Sequence, residues 1–333
     1  MKIKITKYYI LKVLLIALII QSCQTYEPIK IQVLKPAQVR VPPEIFKVIL
    51  INHSVLKDTI SKNSKTKEIK VNRDSVLTIE YFNGLSDILL NSPRFEIANK
   101  TPIYIEKNYR KFESLDWQTI DDLCKENTAD AALVLENFQL LYSDQYPLNY
   151  VNGYLHGVFQ IENNSIWKIY EPANIGIPED FLLNDTLFWD GFGENYDQVT
   201  KQLPSIKEAL LQSCNYAGHK YGERIAQTWS TKNRYIINCE NKDFRNAFTL
   251  VNESKWEEAI ELWKKYSGKK NARLASFAAY NIAVASEVLD NIDASLEWAA
   301  KSFFLKNDVF VEEYIKILEN RKLEKDLIEN QVK

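Results

Sequence analysis

The sequence predicts an α+β fold in two successive parts: a mixed α/β domain over residues 44–240 and an all-α domain of helical repeats over residues 241–330. Three observations carry this. Short apolar runs suited to buried strands, residues 45–51 and 129–141, alternate with stretches whose apolar residues recur every three or four positions. Aromatic and β-branched segments separated by turn residues follow between Gly153 and Trp189, the pattern of an antiparallel meander. Beyond Glu240 only the helical period persists, and residues 256–263 recur in altered form as residues 292–299.

Residues 1–22 have the order of parts of a secretory signal. Lys2, Lys4, Lys7 and Lys12 precede or flank an apolar run from Val13 to Ile20, and the small residue Ser22 stands directly before Cys23. The run is too short for a spanning helix, which needs about 20 apolar residues. Ile20-Gln21-Ser22-Cys23 resembles the lipobox of bacterial lipoproteins, which implies that Cys23 carries the lipid and becomes the first mature residue. Gln24, in place of an aspartate, implies sorting to the outer membrane.

Residues 23–43 follow as a tether. Pro28, Pro36, Pro42 and Pro43 forbid a helix, while Ile29, Ile31 and Val33, alternating with Lys30 and Gln32, allow part of it to pair as an edge strand. Residues 45–51 form a buried strand, and the lysine-rich residues 53–71 a loop. Leu77, Tyr81, Leu85, Ile88 and Leu89 mark one face of a helix over residues 73–90, ended by Asn91-Ser92-Pro93. A strand at 94–98, a helix at 116–126 and an apolar strand at 129–141 complete a β-α-β-α-β order. Meander strands at 153–160 and 165–171 are separated by a turn at Glu162-Asn163-Asn164-Ser165, and a third covers 181–189. A long helix over 203–229 buries Ile206, Leu210, Cys214, Ala217, Tyr221 and Ile225, and Arg234-Tyr235-Ile236-Ile237 closes the sheet.

The formal charge of −2 becomes −6 without the four lysines of residues 1–22, since no acidic residue leaves with them. An acidic chain without dense Lys/Arg patches excludes nucleic acid as a partner. Seven Trp, eighteen Tyr and fifteen Phe supply apolar area for two cores. Cys214 and Cys239 either bridge in an oxidising compartment or, like Cys124, stay as buried thiols. No Cys/His spacing of the zinc type occurs, and neither metal nor other cofactor is expected.

Residues 45–51, the helix ended by Asn91-Ser92-Pro93, Arg94-Phe95-Glu96-Ile97 and the run from Ala129 to Glu136 together resemble the layout of the periplasmic α/β domains of curli-secretion lipoproteins and of the TolB amino-terminal domain. The long amphipathic hairpins with which a curli-type pore enters the membrane have no counterpart here. Tyr280-Asn281-Ile282-Ala283-Val284-Ala285 resembles the first helix of a tetratricopeptide repeat. The offset of thirty-six from Ala259 to Ser295 is close to that repeat's length of about thirty-four, with Asp290 at the usual turn glycine. Residues 308–328 cap the stack. With Trp167-Lys168-Ile169-Tyr170 and the run from Gly218 to Arg224, these pieces resemble an envelope lipoprotein family of Bacteroidota-type bacteria, a likeness that implies location and fold and no activity.

Candidate chemistry is sparse. His219 and Glu223, four apart, share a helix face, where a metal or acid–base pair competes with an ordinary polar surface. His53 and His156 show no partner. Asp190-Gly191-Phe192-Gly193-Glu194-Asn195 is rich in oxygen donors, lacks the alternating carboxylates of a calcium loop, and reads as a glycine turn. Asp121, Asp122 and Glu126 read as acids complementing a helix dipole. No GxSxG, P-loop or GxGxxG motif is present, and no catalytic residue is assigned. Thr59, Ser75 and Thr186 sit in Asp-Ser/Thr-apolar triplets that resemble O-glycosylation sites of such bacteria.

The expectation is a lipid-anchored envelope protein acting as a binding or scaffold module, attached to the membrane through its lipid. Its protein or peptide partner is held in the repeat groove by Trp256, Trp263, Tyr280, Asn281 and Trp298. Two alternatives stay open: an envelope hydrolase of glycan or peptide, and an oligomeric secretion or assembly component.

Overall fold

The computed structural model describes residues 24–54, 60–61, 76–106, 114–142, 148–173 and 180–332; the signal segment, Cys23, Thr59 and Ser75 lie outside them. The fold is α+β. It divides into a sheet unit, Pro36–Thr228 with Ile328–Lys333, and a helical unit, Trp229–Leu327 with Met1–Lys35. Among the described residues no helix is long and apolar enough to cross a membrane.

The first strand, β1 (Gln24–Lys35), pairs with β10 (Thr228–Cys239) in a two-stranded ribbon. The stretch expected as a tether is thus largely strand, and Arg234–Ile237, expected to close the larger sheet, lies in the ribbon instead. Pro28 is tolerated because a two-stranded ribbon has two free edges.

In the sheet unit, β2 (Lys47–Asn52) pairs in parallel with β4 (Glu96–Ile97), β5 (Ile103–Tyr104) and β6 (Ala131–Tyr142), and β3 (Ile60–Ser61) pairs with β6. β6 continues antiparallel into β8 (Tyr154–Tyr170), which also holds β7 (Leu148–Val151) and, along its other margin, β9 (Asp180–Gly193). α1 (Val76–Asn91) and α2 (Trp117–Glu126) lie on opposite faces. The burial of β6 reads this directly: every residue from Ala131 to Glu136 is buried, and beyond it buried and half-buried residues alternate. Where both faces are covered the strand is apolar throughout; where one opens to water it alternates.

β8 is one strand of 17 residues, with no turn at Glu162–Ser165. Those polar residues sit mid-strand because the inward ones find partners. Asn163, 2 % exposed, accepts from the Tyr81 hydroxyl and donates to the Ser213 carbonyl at 3.2 Å. Likewise β9 runs through Gly191 and Gly193, so the expected glycine turn is strand. These glycines make room for α3 (Tyr196–Thr200): a Cβ at Gly191 would lie 2.9 Å from the Val199 carbonyl oxygen, and one at Gly193 2.6 Å from Gln198 Cβ.

α4 (Ile206–Ile225) opens with a capping box of Ser205 and Glu208 and buries Leu210, Cys214, Ala217, Tyr221 and Ile225 as its spacing predicts. It meets α1 backbone to backbone, since a Cβ at Gly218 would stand 1.9 Å from the Tyr81 carbonyl oxygen and one at Gly84 2.0 Å from that of Asn215. α2 is capped by Asp116, which accepts from the Thr119 N–H at 2.9 Å; Asp121 and Asp122 lie past the first turn and bond Lys125 and Gln118.

The helical unit holds α5 (Lys242–Asn252), α6 (Trp256–Lys264), α7 (Ala272–Val288), α8 (Ile292–Leu305) and α9 (Val309–Val332). α5–α6 and α7–α8 are hairpins, and each turn carries a non-glycine residue in the left-handed region, Ser254 (φ 60°) and Asp290 (φ 57°). These stand thirty-six positions apart, the offset also found from Ala259 to Ser295. α7 is buried continuously from Ala275 to Glu287, and its alanines let neighbouring helices approach from every side.

Candidate functional site

The five residues expected to line a partner groove do not form one. Trp263, Tyr280 and Asn281 are at most 1 % exposed and belong to the interior of the helical unit. Tyr280 packs edge-on against Tyr314 at 5.3 Å. Asn281 accepts from the Ile237 N–H and donates to the Ile237 carbonyl, both at 2.8 Å, so its amide is spent on β10. Trp256 and Trp298 are partly buried, and the Lys301 ammonium sits 4.4 Å from the Trp298 ring centre. The correction has a simple cause: the ribbon and α9 pack onto the hairpins and cover the faces an isolated repeat would leave open.

That interior is held by charge as well as packing. Arg234 clasps Glu287 with two bonds of 2.7 Å, and the Tyr314 hydroxyl donates to the same carboxylate at 2.9 Å. Burial, and then the Glu287 charge, push the Tyr314 phenol well above its ordinary range.

The sheet unit contains a second buried polar centre, built on a parallel pair of strands. His53 follows the last residue of β2, and its N–H bonds the Leu135 carbonyl. The next residue, Glu136, is the extra residue of a β-bulge between Leu135 and Asn137, and a bulge re-aims the side chain it carries. Glu136 meets His53 Nδ1 at 2.9 Å through one oxygen and accepts from the Tyr170 hydroxyl at 2.7 Å through the other. His53 and Glu136 are 4 % and 3 % exposed, so the expectation of an unpartnered loop histidine is overturned. With both carboxylate oxygens engaged, the ring is held through Nδ1. Burial, followed by the Glu136 charge, raises the Tyr170 phenol. Trp117 of α2 covers Tyr170 edge-on at 5.4 Å.

A third location is an open groove of about 560 Å³ along α1, α4 and β9, lined among others by Glu80, Glu208, Asn215, Tyr216 and His219. Asn215 bridges to Glu80 at 3.2 Å, and Ser205 holds Glu208 below the ordinary carboxylate range through its backbone and hydroxyl hydrogen bonds. Of the two readings of His219 and Glu223, the polar surface is the one found: His219 Nε2 lies 3.5 Å from Asp87, and Glu223 takes the Lys220 ammonium at 2.9 Å. His156, also expected alone, stacks on Phe192 at 4.1 Å and lies 3.4 Å from Asp190. Among the described residues no group of three or more His, Cys, Asp or Glu is placed to hold a metal ion. Cys124, Cys214 and Cys239 are free, and burial pushes the Cys124 thiol up to about 12. Thr186 lies on the exposed side of β9.

Sequence reasoning missed the His53 centre because its members are far apart along the chain. A signal was present in Glu136, the one acid in an otherwise apolar run of six buried strand residues.

Fold and sites together define an α+β chain in which a mixed sheet unit accompanies a unit of helical hairpins. Residues 45–236 match a domain of unknown function, DUF8603, and the chain belongs to that family. Residues 245–320 match a second domain of unknown function, DUF6340. Among curated proteins none matches. Similar solved structures include a neuraminyllactose-binding hemagglutinin homolog from Helicobacter pylori, 16 % identical over 55 % of this chain and 84 % of that one, with a TM-score of 0.30. The PelC dodecamer from Paraburkholderia phytofirmans is 5 % identical over 60 % of this chain and 98 % of its own, with a TM-score of 0.21. Lipoprotein GNA1162 from Neisseria meningitidis is 8 % identical over 53 % and 97 %, with a TM-score of 0.17. At these scores nothing about ligand or assembly passes to this chain.

Proposed function

We propose that this is a lipid-anchored cell-envelope protein of the outer membrane, moored through Cys23, that acts as a binding or scaffold module and holds a protein or peptide partner on its helical unit. The observation that supports this reading is the apolar surface at the α8–α9 turn, where Phe304 is 89 % exposed and Val309 70 %. The nearby polar groups are spent on one another, since Ser276 and Ser302 bond mutually. A rigid support with unpartnered apolar side chains is the composition of a contact surface. Crosslinked pulldown from native envelopes tests it. A partner recovered with the unaltered chain should be lost with Phe304→Asp, and a Cys23→Ser form should leave the membrane fraction. Recovery of the same proteins with Phe304→Asp would remove the reading.

A hydrolase reading is favoured by one observation, that Glu80 and Glu208 line the same groove as His219. Glycan hydrolysis needs one carboxyl protonated and one ionised. Glu208, held ionised by Ser205, fits the second role, and Glu80 is the other carboxyl of the groove. Hydrolysis of an envelope glycan by the purified chain should vanish in Glu80→Gln; no measurable hydrolysis by the unaltered chain ends this reading.

A further inference from the structure

Among the described residues, side-chain amides clasp single residues of backbone, at three places on a strand and at one just past the end of β1. Asn99 bonds both the N–H and the carbonyl of Leu50 at 2.9 Å, in the gap on β2 between its pairings with β4 and β5. Asn281 does the same for Ile237 on β10. Gln331 clasps Ala37, at 3.1 and 2.8 Å, and Gln202 clasps Phe192 near the end of β9, at 3.3 and 2.6 Å. Each carboxamide offers a donor and an acceptor at the spacing of a peptide unit, so each closes one residue of backbone, which is strand at Leu50, Ile237 and Phe192.

Against that habit, most of β9 is open. Among the described residues it pairs with β8 alone. Gln202 on Phe192, and the Asp185 carboxylate accepting from the Thr186 N–H at 3.0 Å, show that even-numbered residues turn their backbone groups to the free margin. Between Leu182 and Asp190 the Thr186 N–H is the one such group with a partner among the described residues. The open run is about nine residues, roughly 30 Å, the length of an ordinary strand. The opposite margin of the sheet consists of two-residue strands with the Asn99 clasp between them. A long uncovered edge with apolar side chains is a pairing template that proteins ordinarily blunt. Here the solvent face of β9 carries Leu182 and Phe188, 55 % and 67 % exposed.

Charge selects the occupant. From Phe181 to Glu194 the chain carries Asp185, Asp190 and Glu194 and no Lys or Arg. A second copy pairing β9 to β9 would join two segments that each carry acids and no base, which disfavours it. We propose that the outer margin of β9 is a docking site for an extended peptide segment in which basic and apolar residues alternate, added to the sheet as a further strand. Main-chain bonds to Leu182, Asn184, Phe188 and Asp190 supply its affinity, and the neighbouring acids and apolar side chains its selectivity. The site lies in the sheet unit and stands or falls independently of the helical-unit reading.

The test uses the full chain and a fluorescent peptide of four Lys-Val repeats, with a Glu-Val peptide and a Lys-Val peptide N-methylated at alternate residues as comparisons. The Lys-Val peptide should bind at least tenfold more tightly than either. Amide exchange should slow at Leu182, Asn184, Phe188 and Asp190 and stay unchanged at Leu183 and Leu187, which already face β8. Asn184→Pro removes one outward N–H without touching the ladder and should weaken binding at least tenfold with unchanged circular dichroism. Should that variant unfold, Phe188→Lys, which adds a positive charge at the margin, should weaken it by a similar factor. Equal binding of the three peptides, protection at odd and even residues alike, or no binding would overturn the proposal. So would a concentration-dependent dimer of the unaltered chain, abolished by Asn184→Pro, which would make a second copy the occupant.

Discussion

Glu136 in the sheet unit and Glu287 in the helical unit are both 3 % exposed, both accept from a tyrosine hydroxyl, and both raise that tyrosine's pKa, yet their other partners differ. Glu287 faces a guanidinium through two parallel bonds, a pairing with no neutral state in ordinary water. Glu136 faces an imidazole through one nitrogen, and it reaches that imidazole only because a bulge displaces it from the strand's alternation. The first is a permanent lock placed where a ribbon meets the longest-buried helix. The second pairs with an imidazole at the carboxyl end of the parallel strand β2. What separates the two centres is the basic partner of the acid, since burial and tyrosine contact are the same in both.

The largest expected effect belongs to the permanent pair. Glu287→Leu strands a buried guanidinium and should lower unfolding free energy by about 3–5 kcal/mol in urea titration, with Arg234→Met added in the double variant recovering part of it. A loss below about 1 kcal/mol would mean that the pair is solvated and the comparison empty. Glu136→Leu takes the carboxylate from the His53 ring and the Tyr170 hydroxyl and should cost less, about 2–3 kcal/mol by the same measurement. An equal or larger loss would make Glu136 a structural lock of the same kind. Removing only the hydroxyls, Tyr314→Phe and Tyr170→Phe, should cost about 1–2 kcal/mol each, because the carboxylate keeps its basic partner. The smallest effects come from thiol labelling at pH 8. Cys239, partly exposed, should react before Cys124, whose raised pKa leaves almost no thiolate at that pH. Glu136→Leu should speed Cys124 labelling and leave Cys239 unchanged, and Glu287→Leu should do the reverse.

Much of this architecture is legible in the sequence wherever local spacing and burial agree. The face of α1 named by Leu77, Tyr81, Leu85 and Leu89 is buried, α2 and β6 fall within two residues of expectation, and the thirty-six-residue offset reappears in the turns at Ser254 and Asp290. What failed is long-range pairing of polar residues. Asn163 and Ser165 read as turn formers because nothing nearby predicts that Tyr81 and Ser213 will meet Asn163 inside the sheet. Asn281 reads as a recognition residue because its use as a clasp depends on a strand forty-four positions earlier. His53 and Glu136 are eighty-three positions apart, and neither carries a local mark of the other.

The clasping amides also set a clock on the fold. Hydrolysis of a side-chain amide to an acid turns its donor into a negatively charged oxygen, and at Asn281 or Asn99 that oxygen would confront a backbone carbonyl at hydrogen-bonding distance. Wherever ageing of the purified protein does convert one of these amides, the ribbon or the gap in β2 should loosen before the apolar interior.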